Sequence, residues 1–516
     1  MKQAVTTTFV LPRLLRMLLL AAIAFGPAGP VQAAPFRWPE PAGAAGLPTT
    51  CRRPGSARGD VVLPYVIGKV ALGDVSYLAK AGGQPDTVVR FSPDGRRLAI
   101  GTFLGRIAVR DVYAGRTVWD RRIAEGIVKQ VAFSPDGGRV YFGEQSVDGF
   151  LYAADADSGE IVWQRRLADD LGTSPPPPKD SLYGIYQLPA CFRLKTLADG
   201  DLVVLGIHCW GDHTKTEAMT RLCRVYRYSP EGTIRWAFPA DGPMPLGLIH
   251  MDVDRAGRRV AVLAASAAGN TPDDCPYRPG SIYVINGRTG ESVGAHTFEP
   301  LKPHFEQAEF WQSVSVGPEG KLASLGLHDG RAFLFDLDTV EPSKVFSFGA
   351  PITISGVPVS ARSTYTHLAP DRMAYFQTGN STVPYVGRRQ HVVAPPGPHP
   401  WANAIHAVGP DGRVRWRYRS GHEYQNFWTS ADGRWLLTAV NRDDERRGRD
   451  SGAMLFDTHR PGGGSAKLVY YYQVEGLTFF HADLARDGSA LAVVEVPYQD
   501  PKTGMLVGSY QVHVVR

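Results

Sequence analysis

The sequence predicts an all-β fold, an eight-bladed β-propeller. The first observation is a tight-turn signature that recurs eight times at intervals of 42 to 63 residues, as expected of radial repeats whose four-stranded units need about 40 residues. The second is composition, since 56 Gly, 40 Pro and 43% hydrophobic residues with little helical periodicity favour strands joined by turns. The copies are Ser92-Pro93-Asp94-Gly95, Ser134-Pro135-Asp136-Gly137, Ala198-Asp199-Gly200, Arg255-Ala256-Gly257, Gly317-Pro318-Glu319-Gly320, Ala369-Pro370-Asp371-Arg372, Ser430-Ala431-Asp432-Gly433 and Ala485-Arg486-Asp487-Gly488.

Within each unit, short apolar runs alternate with Gly, Pro and Asp turns, which is the usual strand signal. The first unit predicts strands over Thr87 to Phe91, Arg97 to Gly101, Arg106 to Val112 and Arg116 to Arg121. The last unit ends on a third strand, Tyr510 to Val515, and has no fourth. The apolar segment Val66 to Leu72 is therefore predicted to complete this last blade, because ring closure removes open sheet edges.

The N-terminal 33 residues are expected to be a secretory signal, followed by an N-terminal arm over 34–65 and a single propeller over 66–516. Positive charge at Lys2, Arg13 and Arg16 precedes a short apolar run, and Val31-Gln32-Ala33 offers a small-residue cleavage site. The run is too short to span a bilayer, which takes about 20 residues. We expect a mature protein that starts near Ala34, is periplasmic or secreted, and has no transmembrane segment.

Net charge argues against nucleic acid as a partner. The formal charge is +6 for the whole chain, and removal of the three cationic signal residues leaves 6 − 3 = +3. The Arg residues are scattered among Asp and Glu, without the basic stripe that binding to a phosphate backbone requires. We expect a monomer whose partner is a protein or a small anionic ligand.

Turns between the third and fourth strands are often followed by a tryptophan: Trp119, Trp163, Trp236 and Trp416. The run from Ala154 to Trp163 resembles the tryptophan-docking repeat of quinoprotein-like (PQQ-like) propellers, and the Ser-Pro-Asp-Gly turns resemble WD40-like and TolB-like repeats of bacterial exported proteins. This resemblance covers residues 66 to 516 and implies an architecture more than a chemistry. It implies that these tryptophans pack blade on blade.

Long connections are concentrated on one face of the predicted ring. The second-to-third and fourth-to-first connections share this face, which we call the long-loop face; the remaining turns are short and define the tight-turn face. Extra chain on one rim of a rigid scaffold is typical of a binding or catalytic surface. Function is therefore predicted on the long-loop face.

The innermost strands carry the candidate site. Counted from the last residue of each turn signature, the positions seven and five residues upstream are mainly polar, and the position between them is almost wholly apolar. Because strand side chains alternate between faces, the polar set is predicted to line the mouth of the central channel. The candidate ligand-binding residues are Gln130, Arg193, Lys195, His250, Asp252, Tyr365, His367, Asn426, Trp428, His481 and Asp483.

Three interpretations of this set stay open. It can hold an anionic ligand, it can hold a metal through His250, His367 and His481, or it can bind only channel water. A metal or a quinone is compatible with the site, but the sequence demands neither.

Five cysteines follow the predicted signal, and export permits disulfides. A Cys209–Cys223 disulfide across the second-to-third loop of the third unit is the first expectation, with Cys191 or Cys275 paired with Cys51 or with each other. The alternative is a metal site built from His208, Cys209, His213 and Cys223, since thiolate and imidazole are ligands for copper and zinc.

Several chemistries lack their motifs. The sequence contains no Cys-x-x-Cys-His for covalent haem and no adjacent Cys pair of the kind that quinoprotein alcohol dehydrogenases usually carry. The leading hypothesis is an exported propeller with a scaffold or accessory role, which binds a protein or small ligand on the long-loop face. The alternative is a periplasmic oxidoreductase or hydrolase with a cofactor or metal at the channel mouth.

Overall fold

The fold is known from a computed structural model, in which strands dominate the described part of the chain. It describes residues 62–66, 87–124, 126–174, 187–211, 219–267, 269–301, 308–311, 313–354, 357–379, 399–419, 423–441, 451–459, 466–478, 481–500 and 503–516. These residues belong to one compact unit, residues 37–516. No helix among them is both long and apolar enough to cross a membrane.

The strands of the first half form successive meanders, interrupted by the short helix α1 (Ala168–Leu171). They are β1 (Val62–Val66), β2 (Thr87–Phe91), β3 (Arg97–Thr102), β4 (Arg106–Asp111), β5 (Thr117–Arg122), β6 (Ile127–Phe133), β7 (Arg139–Gln145), β8 (Phe150–Asp155), β9 (Ile161–Arg166), β10 (Ala190–Thr196), β11 (Leu202–Gly211), β12 (Met219–Tyr228), β13 (Ile234–Phe238), β14 (Leu246–Val253), β15 (Arg259–Ala267), β16 (Ser281–Asn286) and β17 (Ser292–Thr297).

The second half continues the pattern, with two small hairpins, β22–β23 and β34–β35, in long connections. Its strands are β18 (Val314–Val316), β19 (Leu322–Gly326), β20 (Arg331–Asp336), β21 (Glu341–Ser347), β22 (Ile352–Ile354), β23 (Val357–Val359), β24 (Arg362–Leu368), β25 (Ala374–Gly379), β26 (Ala404–Val408), β27 (Val414–Arg419), β28 (Glu423–Thr429), β29 (Trp435–Asn441), β30 (Ser451–Asp457), β31 (Lys467–Val474), β32 (Ala482–Leu484), β33 (Leu491–Glu495), β34 (Tyr498–Gln499), β35 (Leu506–Val507) and β36 (Gln511–Val515).

Antiparallel sheets of four strands are the repeating unit. The sheets are β2–β5, β14–β17, β18–β21, β24–β27, β28–β31 and β1-β36-β33-β32, which combines strands from both ends of the propeller, while a bridge between Ala190 and Gln145 joins β6–β9 and β10–β13. The innermost strands β2, β6, β10, β14, β18, β24, β28 and β32 each contact the next, and β32 contacts β2. The propeller prediction is confirmed; eight blades stays a prediction, with which this circle of inner strands agrees.

Apolar clusters fill the space between neighbouring sheets and form the core. One cluster joins Val203 and Val225 of one sheet to Val262 and Tyr283 of the next. These side chains are 0–4% exposed, so their burial fixes each sheet against its neighbour.

The outer-strand tryptophans dock on the following sheet, as the resemblance implied. The indole nitrogens of Trp119, Trp163 and Trp236 donate to the carbonyls of Ala156, Pro230 and Gly287 at 2.8–2.9 Å. Trp416 instead stacks on Phe456, with ring centroids 5.9 Å apart. Each indole thus spans the boundary between two sheets.

Two predicted boundaries are wrong. An N-terminal strand completes the last sheet, as predicted, but this strand is β1, Val62–Val66, which pairs with β36 and begins four residues upstream of the predicted Val66 to Leu72, largely in the predicted arm. Pro64 makes this segment a poor strand candidate by sequence, but β1 is an edge strand, where a missing N–H is tolerated. In the third unit, β11 and β12 extend into the predicted second-to-third loop and pair as far as Gly211 and Met219; residues 212–218 lie outside the described residues.

Candidate functional site

A central cavity of about 690 Å³ runs along the inner strands. Ten of the eleven candidate residues line it: Gln130, Arg193, Lys195, His250, Asp252, His367, Asn426, Trp428, His481 and Asp483. Tyr365 is the exception; its side chain is buried, and its hydroxyl accepts a hydrogen bond from the Trp311 indole at 3.0 Å. The structure thus brings the predicted set together, and ligand binding by it stays a prediction.

The position between the two polar registers packs into the core, as predicted. All eight of its side chains are buried: Val89, Val131, Leu194, Met251, Val314, Thr366, Phe427 and Ala482. The polar registers therefore face the cavity because the alternate register is fixed by apolar contacts between sheets.

A β-bulge occurs at the first of the two polar positions, seven residues upstream of the turn's last residue, in several inner strands. The register shifts immediately before Gln130, Arg193, His250 and Tyr365, and in β28 it shifts around Asn426, whose φ is +67°. A bulge inserts one residue opposite a partner and re-aims the next side chain. This irregularity was not predicted, although a bulge position with positive φ favours Asn or Gly.

The polar register five residues upstream of the turn's last residue serves mainly to connect neighbouring inner strands. Asp252 accepts the Val316 amide at 2.8 Å and Asp483 accepts the Phe91 amide at 2.7 Å. Ser315, at the equivalent position, accepts the amide of Leu368 at 3.0 Å. The two carboxylates are therefore structural acceptors, a role that sequence reasoning missed.

His367 repeats this connection with a side chain on the next strand, since its Nε2 lies 2.9 Å from the Thr429 hydroxyl. Burial lowers the pKa of His367 to about 4, so its imidazole is neutral at neutral pH.

Cations are the accessible charges of the cavity. The Lys195 ammonium lies 3.1 Å from Asp252, yet the Lys195 side chain is 52% exposed and that of Asp252 only 11%. The Arg90 guanidinium lies 3.8 Å from Asp483, with side-chain exposures of 38% and 11%. The acids thus face the wall and the cations face the cavity.

Arg193 and His250 both stand at the polar position seven residues upstream of the turn's last residue, on neighbouring strands, and lie close to one another. Arg193 donates to its neighbour's carbonyl, at Phe192, and burial lowers the pKa of its guanidinium to about 10, so it remains a cation. Burial and the charges of Arg193 and Lys195 lower the pKa of His250 well below its usual range. The imidazole of His250 is therefore neutral beside two cations.

The cavity extends to the tight-turn face. Its lining includes turn residues such as Pro93, Pro135, Arg255, Pro318 and Arg486. These residues follow the inner strands at the end opposite to the long connections. The cationic cavity thus reaches the face opposite to the one on which function was predicted, and a site on the long-loop face stays a prediction.

The predicted metal sites are not assembled among the described residues. No group of three or more His, Cys, Asp or Glu side chains in the described ranges is arranged to hold a metal, and this includes His250, His367 and His481. His208 is occupied by the Leu171 carbonyl and the Ser174 hydroxyl, each at 3.0 Å. His213 lies outside the described residues.

The predicted Cys209–Cys223 disulfide is not formed. All four described cysteines, Cys191, Cys209, Cys223 and Cys275, are free thiols, and Cys51 lies outside the described residues. Cys209 opposes Arg221 and Cys223 opposes Ile207, so the two cysteines are diagonal neighbours, which contact without being directly opposed. Burial keeps the pKa of Cys223 well above its usual value.

Comparison with known proteins supports the fold. Neither a protein-family model nor a curated protein matches the sequence. Among solved structures, the C-terminal WD40 domain of Sif2 is similar, with a TM-score of 0.52 and 12% sequence identity, over 84% of this chain and 96% of that domain. Identity at this level shows the fold alone. The protein is thus a WD40-like β-propeller in fold.

Proposed function

We propose that this protein is an exported binding propeller that takes a small anionic ligand into its central cavity. The charge of the cavity wall carries this proposal. Six Arg and Lys side chains line the cavity against two carboxylates, which gives a formal charge of 6 − 2 = +4 with histidines neutral: Arg90, Lys129, Arg193, Lys195, Arg255 and Arg486 against Asp252 and Asp483.

The wall is more cationic toward a ligand than this count suggests. Both carboxylates are engaged by backbone amides and are only 11% exposed, whereas Lys195 and Arg90 are 52% and 38% exposed. A concave site lined by one sign of charge concentrates the opposite ion. The rigid propeller is the scaffold, and the site on it sets the function.

Export is the second part of the proposal. It rests on Lys2, Arg13 and Arg16 ahead of a short apolar run, and on the likeness of the turn repeats to those of bacterial exported propellers. N-terminal sequencing of the protein recovered from the periplasm or the medium tests it. A start near Ala34 supports export, and retention of Met1 in the cytoplasm contradicts it.

Calorimetric titration with inorganic phosphate, sulfate and malonate at low ionic strength tests the ligand class. Wild type is expected to bind at least one of these anions. Lys195→Met removes an accessible cation and weakens binding. Asp252→Asn removes a negative charge while its amide oxygen still accepts the Val316 N–H, so binding becomes several-fold tighter.

The matched control is Lys344→Met, which removes an exposed lysine on β21 outside the cavity lining. The proposal fails if none of the three anions binds at millimolar concentration, or if Lys195→Met and Lys344→Met behave alike. A charge-selective cavity is indicated if the affinity for the anion falls in Lys195→Met and rises in Asp252→Asn.

A protein partner on the long-loop face is a second candidate, favoured by exposed apolar side chains there. Trp311 is 42% exposed, and Met505 and Leu506 are 67% and 36% exposed. Trp and Met are enriched at protein interfaces. A partner crosslinked to wild type and lost with both Trp311→Ser and Met505→Ser supports this candidate; retention with both contradicts it.

A further inference from the structure

The mouth of the cavity on the tight-turn face is a ring of equivalent turn residues. The second residue of each turn between first and second strands lies at this rim, and six of the eight are proline or alanine. In chain order they are Pro93, Pro135, Ala198, Arg255, Pro318, Pro370, Ala431 and Arg486. Arg255 and Arg486 are thus the two charged members of the ring.

These two arginines occupy opposite positions in the ring of turns. Arg255 follows β14 and Arg486 follows β32, the fourth and eighth inner strands in a closed circle of eight. The same backbone contact recurs at both places, since Ala198 donates to the Arg255 carbonyl at 2.8 Å and Ala431 donates to the Arg486 carbonyl at 2.7 Å. The two guanidiniums therefore start from backbones that are fixed in equivalent ways.

The two charges are not neutralised by nearby acids in the described part of the chain. Both residues are exposed, both line the cavity, and neither forms an ion pair with a described carboxylate. Partial burial lowers the pKa of Arg486, and the charge of Arg255 lowers it further. The interaction between the two positive charges is unfavourable, and an anion held between them would relieve it.

We infer that Arg255 and Arg486 clamp one tetrahedral oxoanion, a phosphate or sulfate group, at this mouth. The inference rests on the proposed function and names its ligand, which is a small molecule that carries this group. A guanidinium fork binds two oxygens. A carboxylate directs both of its oxygens to one side, whereas a tetrahedral oxoanion directs oxygens to both sides and can meet two opposed forks.

The remainder of the ligand extends into the cavity toward the accessible cations. Lys195 and Arg90 lie on the inner strands, upstream of the turns that carry the clamp. The ligand thus enters from the tight-turn face, with its oxoanion group at the rim.

Calorimetric titration of the full-length mature protein with inorganic phosphate, sulfate and malonate tests the clamp. Arg255→Gln and Arg486→Gln are each expected to weaken phosphate or sulfate binding about tenfold or more, since each removes a charge-assisted contact. The matched control is Arg413→Gln, an exposed arginine in a third-to-fourth turn on the same face, which leaves binding unchanged. Phosphate and sulfate are also compared at a pH at which both carry the same charge. A difference in affinity then shows which of the two groups the mouth prefers.

A paired Arg255→Lys, Arg486→Lys variant keeps both charges and removes both forks. The clamp predicts that this variant binds the anion more weakly than wild type does. Simple attraction by charge predicts that the affinity is unchanged. Malonate binding as tight as that of phosphate and sulfate overturns the tetrahedral ligand.

The two proposals fail in different ways. If Lys195→Met weakens binding while Arg255→Gln and Arg486→Gln match Arg413→Gln, the clamp is wrong and the anion-binding cavity stands. If wild type binds none of the three anions, both are wrong.

Discussion

The Glu495 carboxylate holds the last sheet together through four donors. It accepts the Gly476 and Ser509 amides at 2.8 and 3.1 Å, the Gln511 side chain at 2.9 Å and His513 Nε2 at 2.8 Å. Burial alone raises the pKa of Glu495, but these hydrogen bonds outweigh it and lower the pKa from 4.5 to about 2. The charged form is therefore favoured by the folded state.

This depressed pKa sets the sign of a pH dependence. A carboxyl whose pKa is lower in the folded than in the unfolded protein stabilises above its unfolded pKa, so the contribution is full above about pH 4.5 and lost as pH falls toward 2. Glu495→Gln is expected to lower the free energy of unfolding by about 2–3 kcal/mol at neutral pH, and to flatten the loss between these pH values. Urea unfolding at a series of pH values measures both.

Glu160→Gln, at the exposed residue just before β9, is the control and should change neither quantity. Equal acid sensitivity of Glu495→Gln and wild type would contradict this account.

The candidate cavity residues show how far single positions were predictable. Alternation along the inner strands placed Arg193, Lys195 and His250 on the cavity wall, because the register is fixed by buried neighbours such as Met251. The same pattern did not separate ligand-facing side chains from those that bind the next strand. Asp252 and Lys195 occupy the same register position on their strands, and only the position of the Val316 amide in the structure distinguishes their roles.

The outer strand β5 is joined to the next sheet by the indole of Trp119, which rests on Gly159. At Gly159, where φ is +71°, an added Cβ would lie 2.6 Å from Cδ2 of Trp119. Gly159→Ala therefore combines backbone strain with displacement of the docked ring, and the expected loss is about 2–4 kcal/mol by urea unfolding.

Gly172→Ala separates these two causes. Its φ is +75°, but an added Cβ would meet nothing within 4 Å, so it should cost only about 1 kcal/mol for the backbone. Similar losses at Gly159 and Gly172 would show that the indole contact adds little.

Strand boundaries were less predictable than strand order. The turn signatures located the meanders because Gly at positive φ is needed there, as at Gly95 and Gly137. Pairing beyond the signatures depends on partners: β11 and β12 extend because each satisfies the other's backbone groups as far as Gly211 and Met219. A prediction from one short segment of sequence does not include the strand with which that segment pairs.

The ring as a whole is closed by a strand from the opposite end of the chain. β1 adds to β36, with Val62 opposite Val515 and Val66 opposite Gln511, and becomes the outer strand of the last sheet. Without β1 the backbone groups on one side of β36 lose their partners and form an open edge next to buried Val512 and Val514. The stability of the ring should therefore depend on these five residues.

Two truncations, each behind the same heterologous leader, test this dependence. A chain that begins at residue 37 keeps β1 and should unfold like the full-length protein. A chain that begins at residue 67 lacks β1 and should lose roughly 3–5 kcal/mol of unfolding free energy, through about five unpaired backbone positions, and self-associate in light scattering. The second chain still contains 67–72, nearly all of the closing segment predicted from the sequence. Equal stability and a monomeric state for both truncations would therefore show that β1 does not close the ring, whereas a loss confined to the shorter chain assigns closure to Val62–Val66.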